Sequence, residues 1–495
     1  MRVCLINPPR IQPKLWGKPS AFQPLDIAYV AAVLEKHQHD VCIIDAPTEG
    51  WKNLQEIDGK KYRLGLTNEE IANRIRYCSP DVVVISVPFS GWWTTAFEVV
   101  STVKSVDRTI LTVLIGLHPS ARPVQCLQHD DVDFVVMGEP EFTVLELVSE
   151  LEKTGIARLE HVNGLGFIKD GRLIITSPRA LIEDLDSLPF PARHLLPTKM
   201  LFAALKKRPI RGEIRKPYAR VLTSRGCPNS CIFCSAHIVN GKKWRGRTPE
   251  NVVKELEQLV KDYGVKQVDF EDDNLTFDKK RLEKICDLIV ARRLNIEWYT
   301  PNGVRADGLD ETLLKKMRAS GCQRILIAPE SGSQRVVNEI IRKNLDLRKV
   351  EEVVATAKRL GIKVGCFFIL GLIGETKEDI KATIDYAYKL RRLGADRFYF
   401  SYATPLYGTE LYEQAVKGGF LRPEFSDEAL SEAQPLIETP EFTISELQEL
   451  CAQANAVNPT FTFDRLKRAL WNPGRAFDTL ISRARVKRLK KNVLQ

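Results

Sequence analysis

Nowhere in its 495 residues does the chain carry an apolar run of the roughly 18 consecutive residues that a membrane span needs. The apolar stretch after Met1 is too short for the core of a secretory leader, so a soluble, cytoplasmic protein is expected. Low-complexity tracts and short internal repeats are missing, and the composition is that of an ordinary globular protein. There is no Gly-x-Gly-x-x-Gly turn and no Gly-x-x-x-x-Gly-Lys-Ser/Thr loop, so dinucleotide or triphosphate binding has no support. Clustered cysteines are few: of 11, eight (Cys4, Cys42, Cys78, Cys126, Cys286, Cys322, Cys366, Cys451) are scattered singly and read as reduced core residues. The formal charge of +10 is concentrated between Arg465 and Lys491 and leaves a nearly neutral body, so no nucleic-acid partner is expected.

What is present divides into two large units, since one core cannot serve this length. Residues 1–150 alternate short β-branched runs (3–6, 41–45, 82–86, 111–116, 133–138) with helical patterns such as 25–36 and 93–106. Strands apolar throughout, separated by helices, imply a parallel sheet covered on both faces: a doubly wound, flavodoxin-like domain. Ligands of such sheets sit beyond the strand carboxyl ends. There the chain places Asn7-Pro8-Pro9-Arg10, Asp45-Ala46-Pro47, Ser86-Val87-Pro88-Phe89-Ser90, Gly116-Leu117-His118-Pro119 and Gly138-Glu139-Pro140. Residues 151–204 read as a linker.

In residues 205–425, six strand-like runs (219–224, 265–270, 296–300, 323–328, 363–370, 396–401) are each followed by a helical pattern. Thr248-Pro249-Glu250 starts one helix, Gly264 ends it, and Asp278 and Asp310 read as caps of the next two. This predicts a partial (β/α)6 barrel with its chemistry at the strand carboxyl ends. After the first strand comes Arg225-Gly226-Cys227-Pro228-Asn229-Ser230-Cys231-Ile232-Phe233-Cys234. Three thiolates in Cys-x3-Cys-x2-Cys spacing can hold three corners of a 4Fe-4S cluster and leave one iron open, where S-adenosylmethionine can chelate. The alternative is a Cys3His zinc site completed by His237. The position at the mouth of a large barrel, which has its own core, favours the cluster.

This motif resembles the radical S-adenosylmethionine (SAM) superfamily, and the likeness runs over about residues 217–415. It implies that Asp272 or Asp273 holds the methionine amino group, that Glu330 and Ser331 of Glu330-Ser331-Gly332-Ser333 contact ribose and carboxylate, and that Phe233 and Gly371, in Phe368-Ile369-Leu370-Gly371, lie on the adenine side. By itself Gly374-Glu375-Thr376 reads as a helix cap. The first domain, with Pro24-Leu25-Asp26-Ile27-Ala28-Tyr29, Gly116-Leu117-His118-Pro119 and Val136-Met137-Gly138-Glu139-Pro140, is similar to the cobalamin-binding domain fused to many such enzymes. Ser86, Pro88, Gly116, His118, Pro119, Gly138 and Glu139 are then the candidate cobalamin contacts. The Asp-x-His-x-x-Gly motif of methionine-synthase-type domains is absent, so His118 is a poor cobalt ligand; it either lines the corrin or is a loop residue bonded to backbone. Trp92 and Trp93 either cover a planar ligand or pack in the core.

The resemblance to class B radical methyltransferases implies methyl transfer to an unactivated carbon, with cobalamin, SAM and a 4Fe-4S cluster as cofactors and a donor such as flavodoxin or ferredoxin as reductant. The alternatives are a cobalamin-dependent cyclase or oxidoreductase without methyl transfer, and a cobalamin or redox sensor without catalysis. A methylthiotransferase would carry further N-terminal cysteines and a C-terminal RNA-binding barrel, and neither is visible. Tyr299, Asn302, Arg305, Tyr402 and Tyr407 are candidates to meet a small-molecule or lipid substrate, Arg305 being equally suited to a structural ion pair. Residues 426–495 are expected to be mostly helical. Their basic amphipathic end, broken near Pro473, can lie on an anionic membrane surface or pack back on the barrel.

Overall fold

The computed structural model describes residues 1–210 and 216–458. The basic amphipathic end expected after Thr460 lies outside the described residues. Among those described, no helix is long and apolar enough to cross a membrane.

The first sheet contains β1 (Arg2–Asn7), β2 (Asp40–Asp45), β3 (Val82–Ser86), β4 (Leu111–Ile115) and β5 (Phe134–Val136), parallel and in the order 2-1-3-4-5. That is the flavodoxin-like order, whose switch point falls between β1 and β3. Val82, Val83, Val84 and Ile85 are completely buried because helices cover both faces: Leu25–Lys36 and Pro140–Thr154 on one, Asn68–Cys78 and Trp93–Val106 on the other.

The sheet does not stop near residue 150. A hairpin of β6 (Leu165–Lys169) and β7 (Arg172–Ile175) pairs antiparallel with β5, turning at Asp170 and Gly171, both with positive φ. Nor is the rest of the expected linker a loose connection. Ile182, Leu185 and Leu188 pack on Leu25, Tyr29 and Val33, while Leu201 and Leu205 pack on Tyr218 at the start of the second domain.

That domain is a curved parallel sheet of β8 (Tyr218–Val221), β9 (Gln267–Phe270), β10 (Glu297–Val304), β11 (Cys322–Glu330), β12 (Lys363–Leu370) and β13 (Arg397–Tyr402), paired in chain order. Thr248 caps the helix Pro249–Tyr263 by accepting the Asn251 N–H, Gly264 ends it in the left-handed region, and Asp278 and Asp310 cap the next two helices as their positions predict. The sheet stays open between β8 and β13. The helix Ile444–Asn455 covers its β13 end, with Leu447, Leu450 and Cys451 against Leu370, Ile380 and Ile384.

A buried set of charges joins the two domains. Arg225, directly before the cysteine loop, reaches Glu139 at 2.9 Å and Glu141 at 2.5 Å on the first domain, and Arg245 reaches Glu139 at 2.8 Å. All four side chains are at most 6 % exposed, so each charge is compensated only by its partners. Replacing one partner leaves a buried carboxylate unpaired, which costs on the order of 3–5 kcal/mol. Arg225→Met is therefore expected to lower the denaturant midpoint of the whole chain by a corresponding amount, and Arg225→Met/Glu141→Gln to recover part of the loss. Equal midpoints for Arg225→Met and the parent would show that the pair does not hold the domains together.

Candidate active site

The loop from Gly226 to Cys234 leaves β8 through a backbone that only glycine permits. Gly226 has φ +82°, and a Cβ there would lie 2.3 Å from the Lys243 carbonyl. Asp272 and Asp273, from the loop after β9, support this segment from beneath. Asp272 accepts the Thr223 hydroxyl at 2.6 Å and that of Ser224, while Asp273 accepts the Gly226 N–H at 3.0 Å and the Asn240 amide at 2.9 Å. Burial raises both carboxyls, and these donors oppose the shift. On the other side Ile232 donates to the Ile341 carbonyl and accepts from Leu411 N–H, and Phe233 packs beside Ile340 and Leu372.

Cys227, Cys231 and Cys234 are all free and half-buried. Burial pushes the Cys234 thiol up to about 12 and raises Cys231 as well, so a cationic metal is what would make them thiolates. Among the described residues, the one set of three potential metal ligands whose donor atoms lie within 4.8 Å of one another is elsewhere, at Cys4, Cys42 and Cys78. The spread of the loop thiols, with or without His237, is thus too wide for a single zinc ion, whose sulfurs sit about 3.8 Å apart. It suits separate corners of a cluster. Asn229 points its amide at the Cys227 sulfur from 3.2 Å and Asn274 from 3.6 Å, the type of hydrogen bond that tunes cluster potential. The other amide atom of Asn274, Oδ1, is buried without a partner.

Beside Cys231 stands a segment of concentrated backbone strain. Glu330 ends β11 with φ +67°, a single π turn follows over Val336–Ile340, and Arg342 and Asn344 also have positive φ. This conformation brings Lys343 Nζ to 2.6 Å from Glu330, both buried, with Arg305 Nη1 donating to the Lys343 carbonyl at 3.0 Å. Ser331 is turned away, its hydroxyl 2.9 Å from that of Thr383. The Gly371 N–H donates to Glu375 at 2.7 Å, and burial pushes that carboxyl up to about 8. Glu375 thus closes the loop after β12, while Thr376 is the helix cap.

On the first domain, Asn7, Pro8, Arg10, Ser86, Pro88 and Trp92 border a cavity at the switch point. Ser86 donates to Asp26, and the Arg10 guanidinium lies over Phe22 and Trp92. Asp45, buried beneath the rim and accepting from Asn7 at 2.8 Å, is pushed up to about 7. Gly116 has φ +111° and carries the chain so close to β3 that a Cβ would lie 2.8 Å from the Val87 carbonyl. His118 is not bonded to backbone through its ring. Completely buried against Trp93 at 4.8 Å, it has partners for neither ring nitrogen, and burial lowers its pKa to about 4. Pro119 is buried beside it, and the Gly138 N–H donates to Ser120 Oγ at 3.0 Å, with open space where a Cβ would be. Trp93 belongs to the domain core with Phe97 and His129.

Glu139 differs from the rest of the expected cobalamin set. Its oxygens are taken by Arg225, Arg245 and the Ile182 N–H, so it belongs to the domain clamp rather than to the cavity wall. Of the expected substrate contacts, Tyr407 is buried among Tyr412 and Phe425 with Arg122 over its ring, and Tyr402 packs on the C-terminal helix. Tyr299 accepts from Gln267 at 3.1 Å, Asn302 donates to the Glu271 carbonyl at 2.9 Å, and Arg305 pairs with Asp307. Lys343, Asn229 and Asn274 were not singled out by the sequence. Lys343 lies thirteen residues after Glu330 with no periodic relation to it, and the π turn and the left-handed residues around it bring the two together.

The donor set therefore fits an iron–sulfur cluster, and the small switch-point cavity marks the rim where a ligand of the first domain would sit. The model of the B12 binding domain matches residues 19–148, and that of the Radical SAM superfamily matches residues 221–387. An uncharacterized methyltransferase of Pyrococcus horikoshii is 31% identical over 92% of this chain and 91% of its own. The cytidylyl-2-hydroxyethylphosphonate methyltransferase of Streptomyces wedmorensis is 31% identical over 88% and 86%. The structure of the radical SAM methyltransferase TsrM from Kitasatospora setae superposes with a TM-score of 0.70 at 15% identity, covering 93% of this chain and 89% of that one, so the fold is shared. Likeness along nearly the whole length, with both family models matched in order, shows that the chain belongs to the cobalamin-dependent radical SAM enzymes, whose cofactors are a 4Fe-4S cluster, S-adenosylmethionine and cobalamin.

Proposed function

We propose that the protein is a methyltransferase that adds a methyl group to an unactivated carbon of a small molecule. The observation that carries this reading is the abutment of the two carboxyl rims. The helix Leu117–Ala121, which bears His118, packs on the helix Ala236–Asn240, which begins two residues after Cys234. Bound at these rims, the cofactors would supply radical hydrogen abstraction and a methyl group for transfer.

The protein's own share is to hold, orient and exclude water. Cys227, Cys231 and Cys234 are assigned to the cluster iron. Glu330 and Lys343 offer opposite charges next to Cys231, and with Arg305 they match the ammonium and carboxylate of a zwitterionic methionine end. Phe233 and Gly371 are assigned to the adenine side. Asp272, Asp273 and Ser331 act by positioning, because their polar atoms already hold the loops around them. Ser86, Pro88, Gly116, His118, Pro119 and Gly138 are assigned to the corrin-facing rim. His118 stays a neutral imidazole at ordinary pH. A one-electron reductant of the flavodoxin or ferredoxin kind completes the cycle, which fits a reducing cytoplasm.

Anaerobically reconstituted protein given dithionite and SAM is expected to form both 5′-deoxyadenosine and S-adenosylhomocysteine. Deoxyadenosine alone would point to a cyclase-type reaction and overturn methyl transfer. Cys231→Ala is expected to lose cluster iron and bring deoxyadenosine to background.

Lys343→Met removes a buried charge beside Cys231 and is expected to weaken SAM binding to the cluster-loaded protein roughly ten- to hundredfold, as for a charge-assisted contact of about 1.5–3 kcal/mol. Equilibrium dialysis reads this directly, and an unchanged dissociation constant would remove Lys343 from the site.

A further inference from the structure

Three cysteines that neither the cluster nor the cobalamin rim uses meet on the first domain. Cys4 on β1 and Cys42 on β2 are register partners on adjacent parallel strands, so both side chains leave the sheet on the same face. Cys78 is the last residue of the helix Asn68–Cys78, which lies across that face. The three sulfurs lie within 4.8 Å of one another, and no carboxylate or imidazole among the described residues joins them. Cys4 is completely buried, whereas Cys42 and Cys78 are half-buried.

We propose that Cys4, Cys42 and Cys78 form a three-thiolate site for one thiophilic d10 cation, zinc(II) or copper(I). Three soft sulfurs without a hard ligand select ions of this class against magnesium, calcium or manganese. Copper(I) is satisfied by three sulfurs, and zinc would take water as its fourth ligand. Two arginines lie beside the site, each shared with a carboxylate. Arg2 donates from Nη1 to the Cys78 carbonyl at 3.0 Å and pairs with Asp40 at 2.6 Å, and Arg74 pairs with Glu49 at 2.8 Å one helical turn before Cys78. These cations offset the negative end of the helix on which Cys78 sits.

The site has a structural consequence. It ties two strands and a helix together about 10 Å, three strand residues, below Asn7 and Asp45, the last residues of β1 and β2. Without a metal, this edge is held by β1–β2 pairing and by Arg2, which spans Asp40, Asp81 and the end of the helix.

The test is metal content of the full chain, purified anaerobically with its cluster and then dialysed against zinc or, separately, copper(I). About four irons plus one equivalent of zinc or copper are expected, and the ion retained identifies which member of the class binds. Cys42→Ser/Cys78→Ser should lose that equivalent and keep its iron, and the retained iron shows that the variant is folded. The single, half-buried Cys78→Ser gives the same reading with less perturbation. Cys227→Ala should do the reverse, losing iron and keeping the other metal. The absence of a stoichiometric thiophilic ion in the parent, its persistence in the double variant, or a Cys4–Cys42 disulfide seen as a loss of two hydrogens would each overturn the site.

Discussion

The two domains share one electrostatic knot. Arg225 and Arg245 flank the cysteine loop on a short two-stranded ladder, and both drive their guanidinium groups into a carboxylate pair, Glu139 and Glu141, at the start of a helix on the first domain. Buried charges carry desolvation costs of several kcal/mol each, so the network is weak evidence for extra stability. Its value lies in geometry. An arginine fork accepts only a narrow range of carboxylate positions, and Arg225 is two residues from Cys227. The cysteine loop is thereby indexed to the rim of the first domain, while an apolar contact would let the domains slide.

A second constraint acts from the other side. The chain after β13 crosses back over the first domain, where Phe425, Ala429, Leu430 and Leu436 pack with Tyr407 and Phe89, and Gln125 and Lys61 pair with Asp427 and Glu432. The segment then returns to seal the barrel with the helix Ile444–Asn455. Tyr407, which the sequence offered as a substrate contact, is the pivot of this crossing, 6.1 Å from His118. The rims are therefore closed by packing as well as by charge, which suits chemistry that must exclude water and thiols.

The parallel strands of the two large sheets were legible because their signals are local. Parallel strands buried on both faces are short continuous apolar runs, and β3 and β12 start and end where the runs do. Thr248, Asp278 and Asp310 are caps whose chemistry needs only the next three residues. The hairpin of β6 and β7 was local too, with Asp170-Gly171 between alternating apolar residues, but it lies beyond the last crossover and so read as linker. The clamp role of Glu139 could not be read from sequence. Its position at a strand carboxyl end fits a ligand contact, and its actual partners are 86 and 106 residues away.

The strain around Glu330 shows how the legible and illegible parts meet. The Glu-Ser-Gly-Ser run offers the loop after β11 as a candidate part of the site, yet its serine faces Thr383 and its glutamate is held by a lysine from beyond a π turn. A left-handed glutamate, a π turn and two more left-handed residues within fifteen positions cost several kcal/mol together. Such a conformation persists where surrounding contacts over-determine it. Here those contacts are the Glu330–Lys343 pair, Arg305 on the Lys343 and Asn344 carbonyls, and Gln334 bridging the Leu345 carbonyl and the Leu347 N–H. A motif specifies where a site is; the lysine and arginine that shape it are set by the path the backbone is forced to take.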